Sequence, residues 1–138
     1  RIKKFPDNPV SFADGYPLLL TNSKSLEAVQ MQCPSAIEMS QFRPSIVIEG
    51  HTAFEEQQWD KIQIGNVTFL HSKPCVRCVL TTRDPQTNRL HPKMEPFRTL
   101  KKLNPNEEGM PIFGINLLPL NSDIIRIGDP VKVLSYRS

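Results

Sequence analysis

The residues best equipped for chemistry are two cysteines three positions apart, Cys75 and Cys78, in the stretch KPCVRCVLTTRDP. Such a pair can be a metal knuckle, a redox disulfide, one working thiolate beside a bystander, or small buried hydrophobes. A structural zinc takes about four tetrahedral ligands. Cys33 and one of His51, His71 or His91 would have to join, and no second Cys-x-x-Cys exists. A thioredoxin-type pair wants its first thiol at a helix N-terminus in a βαβ setting, and neither feature is legible around Cys75. If Cys75 to Thr82 is a regular strand, Cys78 faces one side with Val76, Leu80 and Thr82, and Cys75 faces the other with Arg77, Val79 and Thr81. Shared coordination is then disfavoured, although Pro74 can bend the entry. What remains is a single thiolate at Cys78, with Lys73 and Arg77 close in sequence to favour the anion, set against a plain buried thiol.

The elements that must carry this motif read mostly as short strands and loops. FADGYPLLLTN runs from a Gly/Pro loop into an apolar run, and SKSLEAVQMQ then predicts a helix capped by Ser23 with Glu27 in its first turn. SIVIE and KIQIGNVTFLHSK predict strands, the second broken into a hairpin at Gly65-Asn66, and a further strand is expected after Pro74. TRDPQTNRLHPKMEP is turn-rich loop, long enough to shape the rim of a site. Pro96 opens a short helix through FRTLKKL, IFGINLLPL reads as a strand, and IIRIGDPVKVLS predicts a closing hairpin around Gly128-Asp129. Trp59 is expected in the core. With strands dominant, the expected class is mainly β (α+β by content), a compact barrel with a few short helices.

The 138 residues suit a single domain, 1–138, that needs neither disulfides nor metals as props. Three cysteines without secretory signs favour reduced thiols in the cytoplasm. No apolar run approaches the roughly 20 residues of a membrane span. The net charge of +3 is scattered rather than gathered into a patch. Neither a membrane nor nucleic acid is therefore expected as a partner. Because the first residue is Arg rather than Met, the expectation is a segment cut from a longer protein.

FRPSIVIEG, WDKIQIGNVTF, KPCVRCVLTTRDP, EPFRTLKKL and IIRIGDPVKVL occur in an order and spacing that resemble the MOSC domain, from about Phe12 to Leu134. The resemblance is to the molybdenum-cofactor branch that includes the mitochondrial amidoxime reducing component and its bacterial homologues. It implies a MOSC-like β-barrel, the molybdenum cofactor (molybdopterin), and Cys78 as both catalytic residue and molybdenum ligand. Arg43 in QFRPS matches the family arginine that binds the anionic part of the pterin, a task suited to a planar guanidinium fork. Arg77, Gly15 and Tyr16 are the further cofactor-binding candidates. Two departures stand out: the family's asparagine after the proline is Ser45 here, and the serine often found between the cysteines is Val76. Arg77 either holds the cofactor or packs its charge, and Asp84 before Pro85 either steers its loop or simply forms a turn. The histidines match no ligand position and are expected in ordinary surface roles. The family label also carries pyridoxal phosphate binding, with no residue here assigned to it.

The implied activity is that of an oxidoreductase reducing N-hydroxylated compounds, a small N-hydroxylated molecule being the substrate. The implied partners are an N-terminal β-barrel domain of the same chain and a ferredoxin-type domain or protein as electron donor. The segment alone is expected to be inactive. The alternatives are a sulfur-carrier or cofactor-handling module using a Cys78 persulfide, and a plain binding module with structural cysteines.

Overall fold

The structure, a computed structural model, describes residues 2–4, 10–11, 18–34, 36–77, 95–121 and 123–137. Nine strands and two α-helices follow in the order β1 (Ile2–Lys4), β2 (Val10–Ser11), β3 (Leu18–Asn22), α1 (Ser23–Gln32), β4 (Ile46–Ile48), β5 (Trp59–Ile64), β6 (Val67–Val76), α2 (Phe97–Leu103), β7 (Ile112–Pro119), β8 (Ile124–Ile125) and β9 (Val131–Tyr136) among the described residues. Two 3-10 turns, Met39–Phe42 and Glu55–Gln58, lead into β4 and β5. Seven strands form one sheet in the order β1-β4-β3-β7-β6-β5-β9, while β2 and β8 pair separately. The mainly β expectation holds, as a sheet curled into a half-barrel.

Local chemistry explains most element boundaries. The β5–β6 hairpin turns at Gly65, whose φ of +56° a side chain rarely adopts and whose Cβ would lie 2.7 Å from Asp129 Oδ2. Helix α1 is capped by Asn22, whose side chain accepts the Lys24 N–H at 2.9 Å. The cap is therefore one residue earlier than Ser23, and Glu27 falls beyond the first turn. Asn22 wins because the same side chain also accepts the Gly50 N–H and donates to the Thr52 carbonyl, so it ties the helix start to the loop after β4. Pro96 opens α2 as expected, with Glu95 Oε1 accepting the Thr99 N–H at 2.9 Å.

Two strand expectations are corrected. Among the described residues no new strand starts after Pro74, because β6 runs through it to Val76. Pairing of β5 with β6 covers only Val67 to Leu70, so a residue without an N–H is tolerated further along. The last two strands also do not pair with each other. β8 meets β2 and β9 meets β5, a non-local pairing that the local turn at Gly128 does not reveal.

The larger core gathers Leu20, Ile46, Ile62, Phe69, Ile115 and Leu117, with Trp59 buried among them. A smaller one joins Val29 of α1, Phe42, Leu100 of α2 and Phe113 of β7. Its centre is Phe42 stacked on Phe113 with ring centroids 3.9 Å apart. Both rings are fully buried, each burial being worth about 1.5–3 kcal/mol.

Candidate functional site

The motif-bearing end of β6 is irregular twice in its pairing with β7. The register with β7 shifts between His71 and Lys73, and again between Pro74 and Val76. The second shift places Phe113 and Gly114 opposite Cys75. Gly114 allows it, with φ +84° and a position where an added Cβ would come within 2.9 Å of the Leu20 carbonyl. Such bulges re-aim side chains near functional sites. The premise of a regular strand from Cys75 onward therefore fails at its start, and its remainder, with Cys78, lies outside the described residues.

Cys75 is half-buried and carries an unpaired thiol, as does the buried Cys33 at the end of α1. Among the described residues no group of three or more His, Cys, Asp or Glu side chains could hold a metal ion. Arg77 follows directly after β6. Its N–H donates to the Pro111 carbonyl at 2.8 Å, its Nε donates to the Phe113 carbonyl at 3.1 Å, and its guanidinium lies 5.3 Å from the centre of the Phe42 ring. The side chain thus braces the end of β6 against β7.

Arg43 comes next after Phe42, at the end of the 3-10 turn, with a left-handed backbone of φ 51°. Its side chain is exposed and has no ion pair among the described residues. Phe42 thus precedes Arg43 in sequence and lies beneath the guanidinium of Arg77. Ser45, where the family pattern has asparagine, joins the starts of β3 and β4, its Oγ accepting the Leu19 N–H at 3.2 Å. Gly15, Tyr16, Asp84 and His91 lie outside the described residues.

Two ionisable groups escaped the sequence reading. His51 is exposed as expected, but His71 is buried, and its Nδ1 lies 2.8 Å from the Trp59 carbonyl. Burial lowers its pKa, so the neutral ring donates Nδ1–H to that carbonyl. Beside it is an open cleft of about 320 Å³ lined by Asp60, His71, Tyr136 and Arg137.

Glu56, in the 3-10 turn before β5, is fully buried, and Ser25 Oγ donates to its Oε1 at 3.0 Å. Burial pushes its carboxyl up to about 7, against the smaller lowering effects of a backbone hydrogen bond and of Ser25 and Asn22. In EEQQW the paired acids read as a solvated surface.

A family model described as MOSC domain matches residues 7–132. Among curated proteins, the chain is similar to mitochondrial amidoxime-reducing component 1 of Mus musculus, with 36% identity over 91% of this chain and 38% of that protein. It is also similar to mitochondrial amidoxime reducing component 2 of Homo sapiens, with 37% identity over 88% of this chain and 38% of that protein. The chain thus spans about two fifths of the length of these relatives. Among solved structures, YiiM from Geobacillus stearothermophilus superposes with a TM-score of 0.64 at 15% identity, covering 93% of this chain and 61% of that one, a likeness of fold alone.

Proposed function

The chain belongs to the MOSC domain family, and on that premise we propose that it forms the cofactor-binding part of a molybdenum oxidoreductase that reduces N-hydroxylated compounds such as amidoximes. The observation that carries this reading is its similarity, over about nine tenths of its length, to proteins named amidoxime-reducing components. Supporting it, the Cys-x-x-Cys motif starts on a strand end whose register with β7 shifts twice, and Arg77 at that end lies over the ring of Phe42.

The residues present fit the implied cofactor. Arg43 offers an exposed guanidinium with no ion pair among the described residues, suited to hold a phosphate through its planar fork. Cys78 offers a thiol, which as thiolate is the soft anionic donor that molybdenum takes. Arg77, braced by the Phe113 carbonyl, would fix the segment that carries Cys78. Gly15 and Tyr16 would line the cofactor. When bound, the cofactor supplies the two-electron redox chemistry, while the protein orients it and admits substrate.

Electrons would reach the site from a ferredoxin-type domain or protein, and an N-terminal barrel of the same chain would complete the cleft. The unpaired thiols of Cys33 and Cys75 suit a reducing compartment such as the cytoplasm. No helix among the described residues is long and apolar enough to cross a membrane.

Metal analysis of the complete protein, joined to an assay of N-hydroxy reduction, tests the proposal. Stoichiometric molybdenum with activity is expected. Cyanide-labile sulfur without molybdenum would point instead to a persulfide carrier at Cys78, and neither finding would leave a plain binding module.

A further inference from the structure

A fully buried carboxyl with no cation beside it is costly, and an amide or a thioether would fill the same space more cheaply. Among the described residues Glu56 is such a group. Its Oε1 accepts from Ser25 Oγ at 3.0 Å, and its Oε2 has no hydrogen-bond partner. The charge acting on it is that of Glu55 on its own turn, whose Oε1 accepts the His51 N–H at 2.8 Å. From the elements packed against it, α1 presents Ser25 and β3 presents Asn22, neither of which titrates. Lys24 on α1 is turned to Glu27 at 3.5 Å on the surface.

From this carboxyl a continuous series of contacts leads to the candidate site. Ser25 Oγ, which donates to Glu56, accepts the Phe54 N–H at 2.8 Å. Phe54 has a left-handed backbone of φ 60°, and its ring meets Phe113 edge-on with centroids 6.4 Å apart. Phe113 stacks on Phe42 at 3.9 Å, and its carbonyl accepts Arg77 Nε at 3.1 Å. Each link is a direct contact in a close-packed region, so a shift of Phe54 must be taken up by Phe113.

We propose that Glu56 is a positioning residue: the protonation state of its carboxyl, passed through Ser25, Phe54 and Phe113, sets where Arg77 lies at the end of β6. The functional importance of that displacement rests on the proposed function, but the linkage from Glu56 to Arg77 does not. With the proton in place, the neutral carboxyl packs beside Ser25. Without it, a charge stands in a dry site where a backbone N–H, the Ser25 hydroxyl and Asn22 offset its burial only in part. Relief requires Ser25 and Asn22 to close on the charge, or water to enter, and either moves the hydroxyl that holds the Phe54 backbone. Burial puts this transition near neutral pH, with the carboxyl pushed up to about 7.

The test is side-chain NMR of the complete, cofactor-free protein labelled at arginine, with the Arg77 Nε–H signal assigned by its loss in Arg77→Lys and followed through neutral pH. The expected result is a single midpoint near the Glu56 value of about 7, absent in Glu56→Gln. An Arg77 signal that stays flat, or a midpoint that persists in Glu56→Gln, overturns the proposal. Should Glu56→Gln fail to fold, Ser25→Ala keeps the carboxyl and cuts the relay, so the Arg77 signal should then stop following pH. An unchanged Arg77 titration in Ser25→Ala overturns it equally. No readout involves molybdenum or substrate, so failure here and failure of the proposed function are separate results.

Discussion

Replacing Glu56 by Gln should change how stability depends on pH more than it changes stability itself. Glu56 ionises near its ordinary 4.5 in the unfolded chain and near 7 in the folded one. Below the lower value both states carry the proton, and the group places no electrostatic penalty on folding. Between the two values the unfolded state loses its proton first, so the unfolded state gains and stability falls as pH rises. Above the folded value the loss is complete. Each tenfold change in acidity is worth about 1.36 kcal/mol, so the interval amounts to about 3 kcal/mol, a large part of the about 5–15 kcal/mol that holds a domain together. The full figure applies because the side chain is wholly buried rather than screened by water. Urea unfolding of wild type and Glu56→Gln at a series of pH values gives the comparison, and their difference removes the contributions of other groups such as His71. The variant should gain about 3 kcal/mol on wild type between acid and mildly alkaline pH. A difference that stays constant across the range would show that Glu56 ionises in the fold as it does in water, and the account of its burial would be wrong.

Phe113→Ala should cost about 3–5 kcal/mol in denaturant unfolding, because it empties the centre of the smaller core; a cost below about 1 kcal/mol would mean that Phe42 and Phe54 collapse into the space. Asn22→Ala removes the α1 cap together with the bonds to Gly50 and Thr52, and should destabilise by about 1–2 kcal/mol. Arg43→Ala in the complete protein should leave the unfolding midpoint of the cofactor-free form unchanged while weakening cofactor retention by about one to two decades, the equivalent of one charge-assisted contact of about 1.5–3 kcal/mol. Unfolding of that variant in cofactor-free form would make Arg43 structural instead.

What the sequence disclosed was what local chemistry controls. The Gly65-Asn66 hairpin, the Pro96 helix start and strand β7 follow from turn residues and apolar runs that act within a few positions. The fate of IIRIGDPVKVLS did not, because β8 and β9 choose partners far away in the chain, and a turn signal at Gly128 is silent about which strands compete for an edge. The helix cap was misplaced by one because Asn22 and Ser23 are both good cap formers, and tertiary bonds to Gly50 and Thr52 decided between them. At the site, Arg43 and Arg77 were named from motifs that stand well apart in sequence. The ring beneath Arg77, Phe42 stacked on Phe113, was not, since an aromatic in the core looks the same in sequence whether it packs a helix or supports a guanidinium. Glu56 was hidden for the converse reason: a glutamate beside another glutamate reads as surface, and only the packing of its turn against Ser25 of α1 makes it interior.

Whether one thiolate of the pair, Cys78, binds molybdenum is tested by comparing Cys78→Ser with Cys75→Ser in the complete protein, by molybdenum content and N-hydroxy reduction. An alcohol is a poor substitute for the soft anionic donor of a thiolate. Loss of molybdenum and activity is expected in Cys78→Ser and little change in Cys75→Ser, whose thiol is unpaired and lies within β6. Full activity in Cys78→Ser, or equal losses in both variants with zinc as the metal found, would contradict it.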